Sequence, residues 1–188
     1  LLAAQECYQQ ARAEGADQTT VTALAEAYDD IRSGLGFNKS PAEYGAFPAD
    51  PYSHTPVNGG ARQPGMTGQV KEEILTRFGE LGVSVRTGAL SFKPALLRRD
   101  EYLPEASEFT YFDVENQLRT VPLPANSLAF TVCQTPIIYV LGDSASIDVR
   151  YGDGRTVAVP GTSLDAAISH HIFERDGLIE LLQVTVER

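Results

Sequence analysis

The stretch Ala42–Glu73, AEYGAFPADPYSHTPVNGGARQPGMTGQVKEE, gathers most of the side chains in this chain that could meet a polar ligand. Its four prolines and five glycines exclude a regular helix or strand through most of its length, because Pro removes a backbone donor and Gly removes conformational preference. Tyr44, Phe47 and Tyr52 make it too aromatic for a flexible linker. Such rings in a loop serve as sugar-stacking platforms or pocket walls, or they pack onto the domain, and both readings stand. Irregular segments of this length inside a domain are uncommon and are either functional or disordered. The run ends at Thr67-Gly68, where a helical pattern begins. The first amides of a helix lack internal partners and sit at the positive end of its dipole, so they can hold an oxyanion. Thr67 suits the role of N-cap or ligand, and Gly68 lets an oxygen approach the backbone; simple capping is the alternative.

Other candidates are weighed the same way. His54 is a substrate-binding or a structural histidine, and Arg62-Gln63 suit an anion or sugar hydroxyls or are solvated loop residues. Asp50 before Pro51 is a turn former or a sugar ligand. Glu72 and Glu73 are adjacent on a helix and so cannot oppose one another as a glycosidase pair does. As first-turn acids they favour the helix dipole, with Glu73 the weak catalytic candidate. His170-His171 invite a metal reading, but on a strand they would point to opposite faces, and no Cys or Asp stands at ligand spacing. Asp143, Asp153 and Asp176 lie at turns. Cys7 and Cys133 are read as two unrelated buried thiols. No metal and no cofactor is expected.

The elements that must position these residues follow from periodicity. Helices are predicted from Leu1 to about Glu14, closed by Gly15, and from Asp17 or Thr19 to about Ser33, with Val21, Leu24, Ala25, Tyr28 and Ile31 at i, i+3, i+4 spacing. A third helix is predicted from about Thr67 to Leu81, with Val70, Ile74, Phe78 and Leu81 on one face and Gly82 as its stop. After Gly82 the pattern alternates. VSVRTGALSFKP reads as a hairpin turning at Thr87-Gly88. SEFTYFDV, QLRTVPL, LAFTVCQ, PIIYVLG, SIDVRYGDGRTVAV and LIELLQVTVE read as further strands, with Asp153-Gly154 a two-residue turn signal and Asp176-Gly177 opening the last strand. SLDAAISHHIF fits a short helix or another strand. The fold class expected is α+β: helices over 1–82, then an antiparallel, jelly-roll-like β-sandwich over 83–188.

The 188 residues carry a formal net charge of −10, which disfavours nucleic acid or an anionic membrane as partner. At 43% hydrophobic and 21% charged the composition is that of a folded soluble protein, and no run approaches the ~18 apolar residues of a membrane span. The chain opens as LLAAQECYQQARAEG, already in helical pattern and with no signal-peptide layout. The reading is a C-terminal part of a larger, cytoplasmic protein.

The order of motifs sharpens this. Tyr52-Ser53, Pro56, Gly59-Gly60-Ala61-Arg62, Thr67-Gly68 and Gly88-Ala89-Leu90-Ser91-Phe92-Lys93-Pro94, followed by a β domain, resemble the end of the catalytic barrel in inverting disaccharide phosphorylases of the cellobiose and chitobiose phosphorylase type. The resemblance covers about Asp50 to Pro94. It implies that Leu1–Leu81 are the last helices of an (α/α)6 barrel and that Thr67-Gly68 bind phosphate or the reacting part of the sugar, with a general acid supplied by the remainder of the parent chain. It further implies a disaccharide or oligosaccharide substrate, inorganic phosphate as co-substrate, and Tyr52, His54, Arg62, Gln63, Thr67 and Gly68 as the binding set. The family has tryptophans around its Thr-Gly pair. This chain has none, with Pro64, Met66 and Val70 nearby instead, so phosphorolysis and hydrolysis both remain open. A non-catalytic carbohydrate-binding or structural module, with the function on the sandwich, is the competing reading.

Overall fold

A computed structural model describes residues 1–33 and 67–187, excepting the side chains at 33 and 67–73. The chain divides into two compact units, Leu1–Glu80 and Leu81–Arg188.

The first unit holds α1 (Leu2–Ala13), α2 (Gln18–Ser33) and α3 (Thr67–Glu80). Gly15, at φ 72°, ends the first helical run. Asp17 starts the second: its Oδ1 accepts from the Thr20 amide at 3.0 Å and its Oδ2 from the Thr20 hydroxyl at 2.7 Å, which satisfies a donor the helix itself leaves over. These bonds hold the Asp17 carboxyl below the usual range. Tyr28 is 0% exposed, as the spacing in α2 predicts, while Val21, Leu24 and Ala25 are half-buried and Ile31 is exposed.

Of the face expected on α3, Leu81 just past its end is buried, but Ile74 and Phe78 are not. Ile74 and Phe78 are 54% and 45% exposed, and the sequestered residues are Thr76 and Glu80. The cause is local. Gly79 has no side chain, and a methyl placed there would fall 2.1 Å from Gln5 Oε1. That space admits the buried Gln5 of α1, whose Nε2 donates to the Thr76 carbonyl at 2.8 Å. The polar side of α3 is thereby drawn against α1.

The second unit begins with a hairpin of β1 (Val83–Arg86) and β2 (Ala89–Phe92), whose turn residues Thr87 and Gly88 both have positive φ. A second hairpin pairs β3 (Ser107–Phe112) with β4 (Leu118–Leu123). Then come β5 (Ser127–Val132), β6 (Thr135–Gly142), β7 (Ser146–Tyr151), β8 (Thr156–Pro160), α4 (Ala166–Glu174) and β9 (Ile179–Glu187). β5 to β9 form one sheet in the order β5-β6-β9-β7-β8. All its pairs are antiparallel except β6 with β9, which run parallel. β9 puts Leu181 into one apolar cluster and Leu182 and Val184 into the other, which suits a central strand with both faces covered.

Alternation along the strands divides the core. Ile137 and Tyr139 of β6, Ile147 and Val149 of β7, and Leu182 and Val184 of β9 join Leu90 and Phe92 of β2 and Ile172 of α4 in one apolar cluster. Ile138 and Leu181 face the other way and meet Val121 and Leu123 of β4. The sheet therefore carries β2 and α4 on one face and the β3–β4 hairpin on the other. The segment SLDAAISHHIF resolves as helix because Asp165 Oδ1 accepts from the Ile168 amide at 2.7 Å, an N-cap. The α+β class holds, with four helices and nine strands among the described residues.

The Gly88–Pro94 segment has a complete local account. Gly88 turns the hairpin, Leu90 and Phe92 are fully buried, and both edges of β2 are occupied. One edge pairs with β1. On the other, Phe92 N donates to the Thr162 carbonyl, Leu164 N donates to the Leu90 carbonyl, and Leu90 N donates to Ser169 Oγ at 2.9 Å. Gly82 is required beside it, because at φ 68° an added methyl would lie 1.9 Å from the Lys93 carbonyl carbon.

Candidate functional site

Of the residues singled out for ligand contact, Tyr52, His54, Arg62 and Gln63 lie outside the described residues, as do Tyr44, Phe47 and Asp50. Thr67 and Gly68 are the first two residues of α3, so the helix begins at the predicted place, and Glu73 follows in its second turn.

At the far end of the same helix is a carboxylate that spacing did not single out. Glu80 is 1% exposed. Its Oε1 accepts from the Tyr28 hydroxyl at 2.6 Å and lies 3.1 Å from Arg32 Nε, while its Oε2 lies 2.8 Å from Arg77 Nη1. Burial, reinforced by the hydrogen bond to Glu80, pushes the Tyr28 phenol well above its ordinary pKa, so Tyr28 stays a donor at any physiological pH. With both oxygens engaged by groups of two helices, the arrangement is a closed structural network, and a buried charge is stable only when paired in this way. The legible clue was the coincidence of Tyr28 and Arg32 at i, i+4.

The β unit has a hollow of about 380 Å³ at one end of its sheet. It is built where separate turns converge: the Asp113–Gln117 turn between β3 and β4, the Cys133-Gln134 turn between β5 and β6, and the segments at Gly152 and Gly177. Its apolar floor comes from Val121, Pro136 and Ile179, all buried, with Tyr111 beside them. The Tyr111 ring stacks at 5.8 Å and 9° on Phe109, and burial, with Glu180 and Asp113 nearby, raises its phenol pKa.

The polar rim is held in place by its own bonds. Asp113 Oδ1 accepts from the Glu115 and Gln117 amides at 3.0 and 2.8 Å, and Oδ2 accepts from Arg119 Nε at 2.6 Å. These contacts, the Arg119 bond foremost, hold the Asp113 carboxyl below the usual range. Gln134 Nε2 donates to the Asp113 carbonyl at 2.8 Å. Glu180 Oε2 lies 3.1 Å from Arg150 Nε. That contact is an ion pair by distance, but the buried Nε–H has no aligned acceptor. Cys133 and Gln134 have φ of 48° and 67°, a left-handed pair that a two-residue hairpin turn normally gives to Asn-Gly. No sequence pattern announced this hollow, since its residues are scattered over some seventy positions.

The remaining candidates fall into place as follows. His170 and His171 are on α4, not on a strand, with ring centroids 6.2 Å apart. His171 Nδ1 meets Asp176 Oδ2 at 2.6 Å, and this bond lowers the Asp176 pKa. Asp176 is thus more than a turn former. Among the described residues no group of three or more His, Cys, Asp or Glu is placed to hold a metal ion. Cys7 and Cys133 are free thiols, but Cys7 is exposed and Cys133 half-buried, against the expectation that both lie inside. Among the described residues no helix is long and apolar enough to cross a membrane. No protein-family model matches the chain, and no curated protein matches it either.

Proposed function

We propose that this chain is the C-terminal portion of a carbohydrate-active enzyme that cleaves β-glycosidic bonds, as an inverting phosphorylase or hydrolase. In this reading α1 to α3 are the closing helices of an (α/α)6 barrel, and the β unit is its C-terminal, jelly-roll-like sandwich domain. The segment before Thr67 lines one side of the glycoside pocket with Tyr52, His54, Arg62 and Gln63. The observation that carries the reading is the start of α3 at Thr67, directly after the Gly- and Pro-rich run. The first amides of a helix lack partners within it, which suits an oxygen-rich ligand. The general acid comes from elsewhere in the parent protein and protonates the leaving oxygen. Phosphate attacks the anomeric carbon in a phosphorylase, or a base activates water in an inverting hydrolase.

The test is to supply the parent protein with β-linked disaccharides and measure free sugar against sugar 1-phosphate. Thr67→Ala removes a hydroxyl donor and Gly68→Ala puts a methyl where an oxygen would approach the backbone, and each is expected to lower kcat/KM by about 100-fold. Release of neither product sinks the proposal.

A second reading, a non-catalytic carbohydrate-binding or structural module, draws support from the β unit. Its apolar clusters are complete within residues 81–186, and it carries a polar hollow of its own.

A further inference from the structure

We infer that the hollow at the β3–β4 end of the sheet binds a neutral saccharide. The inference rests on the second reading in its binding form and is independent of catalysis at Thr67. The argument begins with charge. Asp113, Glu115 and Glu180 line the hollow with Arg119, while Arg150 and Arg175 stand beside it on Glu180 and Gln134, so the site has no excess of positive charge to draw a phosphate, a sulfated sugar or a nucleic acid. The strong charges are also mutually engaged, Asp113 with Arg119 and Glu180 with Arg150, which leaves little net attraction for a small cation. Such pairs still offer carboxylate lone pairs and guanidinium N–H groups in fixed planes, because Arg119 gives only its Nε to Asp113 and a guanidinium has five donors. Vicinal hydroxyls, each donor and acceptor at once, match that mixture.

Shape and floor agree. A sugar ring presents a face of C–H groups and an equator of hydroxyls. The hollow presents an apolar floor of Val121, Pro136 and Ile179 beside the Tyr111 ring, under a polar rim. Its volume of about 380 Å³ falls within the range of small-molecule sites, roughly 300–1,000 Å³.

Preorganisation completes the case. Gln134 is held by Asp113, and Asp113 by two backbone amides, so little side-chain freedom is lost on binding. The non-glycine pair Cys133-Gln134 keeps its left-handed backbone at a cost of about 1 kcal/mol or more per residue. A Gly at 134 would relieve that cost and would also remove the amide from the rim.

The experiment is amide chemical-shift mapping on the 188-residue chain with cellobiose, maltose and glucose 1-phosphate up to about 10 mM, tenfold above a dissociation constant of roughly 1 mM. Shifts are expected at Tyr111, Arg119, Gln134 and Glu180 with at least one neutral disaccharide, and binding of glucose 1-phosphate should be weaker. Tyr111→Ala should weaken binding by about tenfold or more. Arg119→Ala at an exposed position should do so by a similar factor, and serves if the Tyr111 variant fails to fold. Shifts confined to other surfaces of residues 81–187 overturn the hollow while leaving the binding module standing. Shifts confined to the first turn of α3 overturn the hollow and favour the catalytic reading. No shifts with either neutral disaccharide overturn both the hollow and the binding module.

Discussion

Among the described residues, the large side chains buried deepest in residues 81–187 include Leu90, Phe92, Ile137, Tyr139, Ile147 and Leu182, whereas in the helical unit they are Tyr28, Gln5, Thr76 and Glu80. The β unit buries hydrocarbon on both faces of its sheet, and its stability accumulates with area removed from water. The helical unit instead buries a hydrogen-bonded polar seam, while Ile74, Leu75 and Phe78 of α3 stand exposed. A polar seam is worth little until every member is satisfied, and then it fixes one arrangement. An apolar core degrades by increments under substitution. A polar one fails when a single partner is removed.

The substitutions that would break this contrast follow in order of size. Gly82→Ala puts a methyl into the Lys93 backbone at positive φ, and should cost the β unit about 3 kcal/mol or more, read as a lowered denaturant midpoint. Glu80→Ala strands the buried Tyr28 hydroxyl and should cost the helical unit about 2 kcal/mol, read from helical circular dichroism. Arg32 and Arg77 soften the loss because each is about a third exposed and can turn to water. If Glu80→Ala proves neutral, the polar seam is not what holds these helices.

A pH titration sharpens the comparison further. Asp113 and Asp176 have folded pKa values below the ordinary carboxylate value of about 3.9. Their contribution is present above that value and is lost as pH falls through the folded values. Acid should therefore loosen the Asp113 turn and the His171–Asp176 contact, and Asp176→Asn should flatten the decline in β-unit stability while lowering stability at neutral pH. An unchanged acid profile in that variant refutes the assignment. The smallest effect belongs to Phe78→Ser. At 45% exposure it should alter the stability of this chain by no more than about 0.5 kcal/mol. A larger loss would mean that something covers that face.

Much of the β unit was legible because alternation and turn chemistry are local. Thr87-Gly88 and Asp153-Gly154 stand at the hairpins they predict, and each strand predicted after Gly82 is present. The Asp165 cap was also readable, and would have decided the helix over the strand for SLDAAISHHIF. What periodicity cannot see is approach between distant elements. The space at Gly79 turned α3 against its apolar stripe, and the hollow exists only because turns at 113, 134, 152 and 177 meet at one end of the sheet. The parallel β6–β9 pair is of the same kind: both strands read correctly, yet their neighbourhood is a property of the whole topology. The candidate site was legible only as far as the start of α3 at Thr67. Tyr52, His54, Arg62 and Gln63 of the proposed binding set precede it in a segment whose composition defines no regular element.

The placement of β9 between β6 and β7 has a consequence for biosynthesis. The strand at the middle of the sheet is the last of the nine to be translated, so β5–β6 and β7–β8 must wait as two separate hairpins with apolar edges open. Closing the sheet is then slow, as expected of non-local pairing. A nascent chain stalled before Ile179 is the species most prone to capture by chaperones or to clumping.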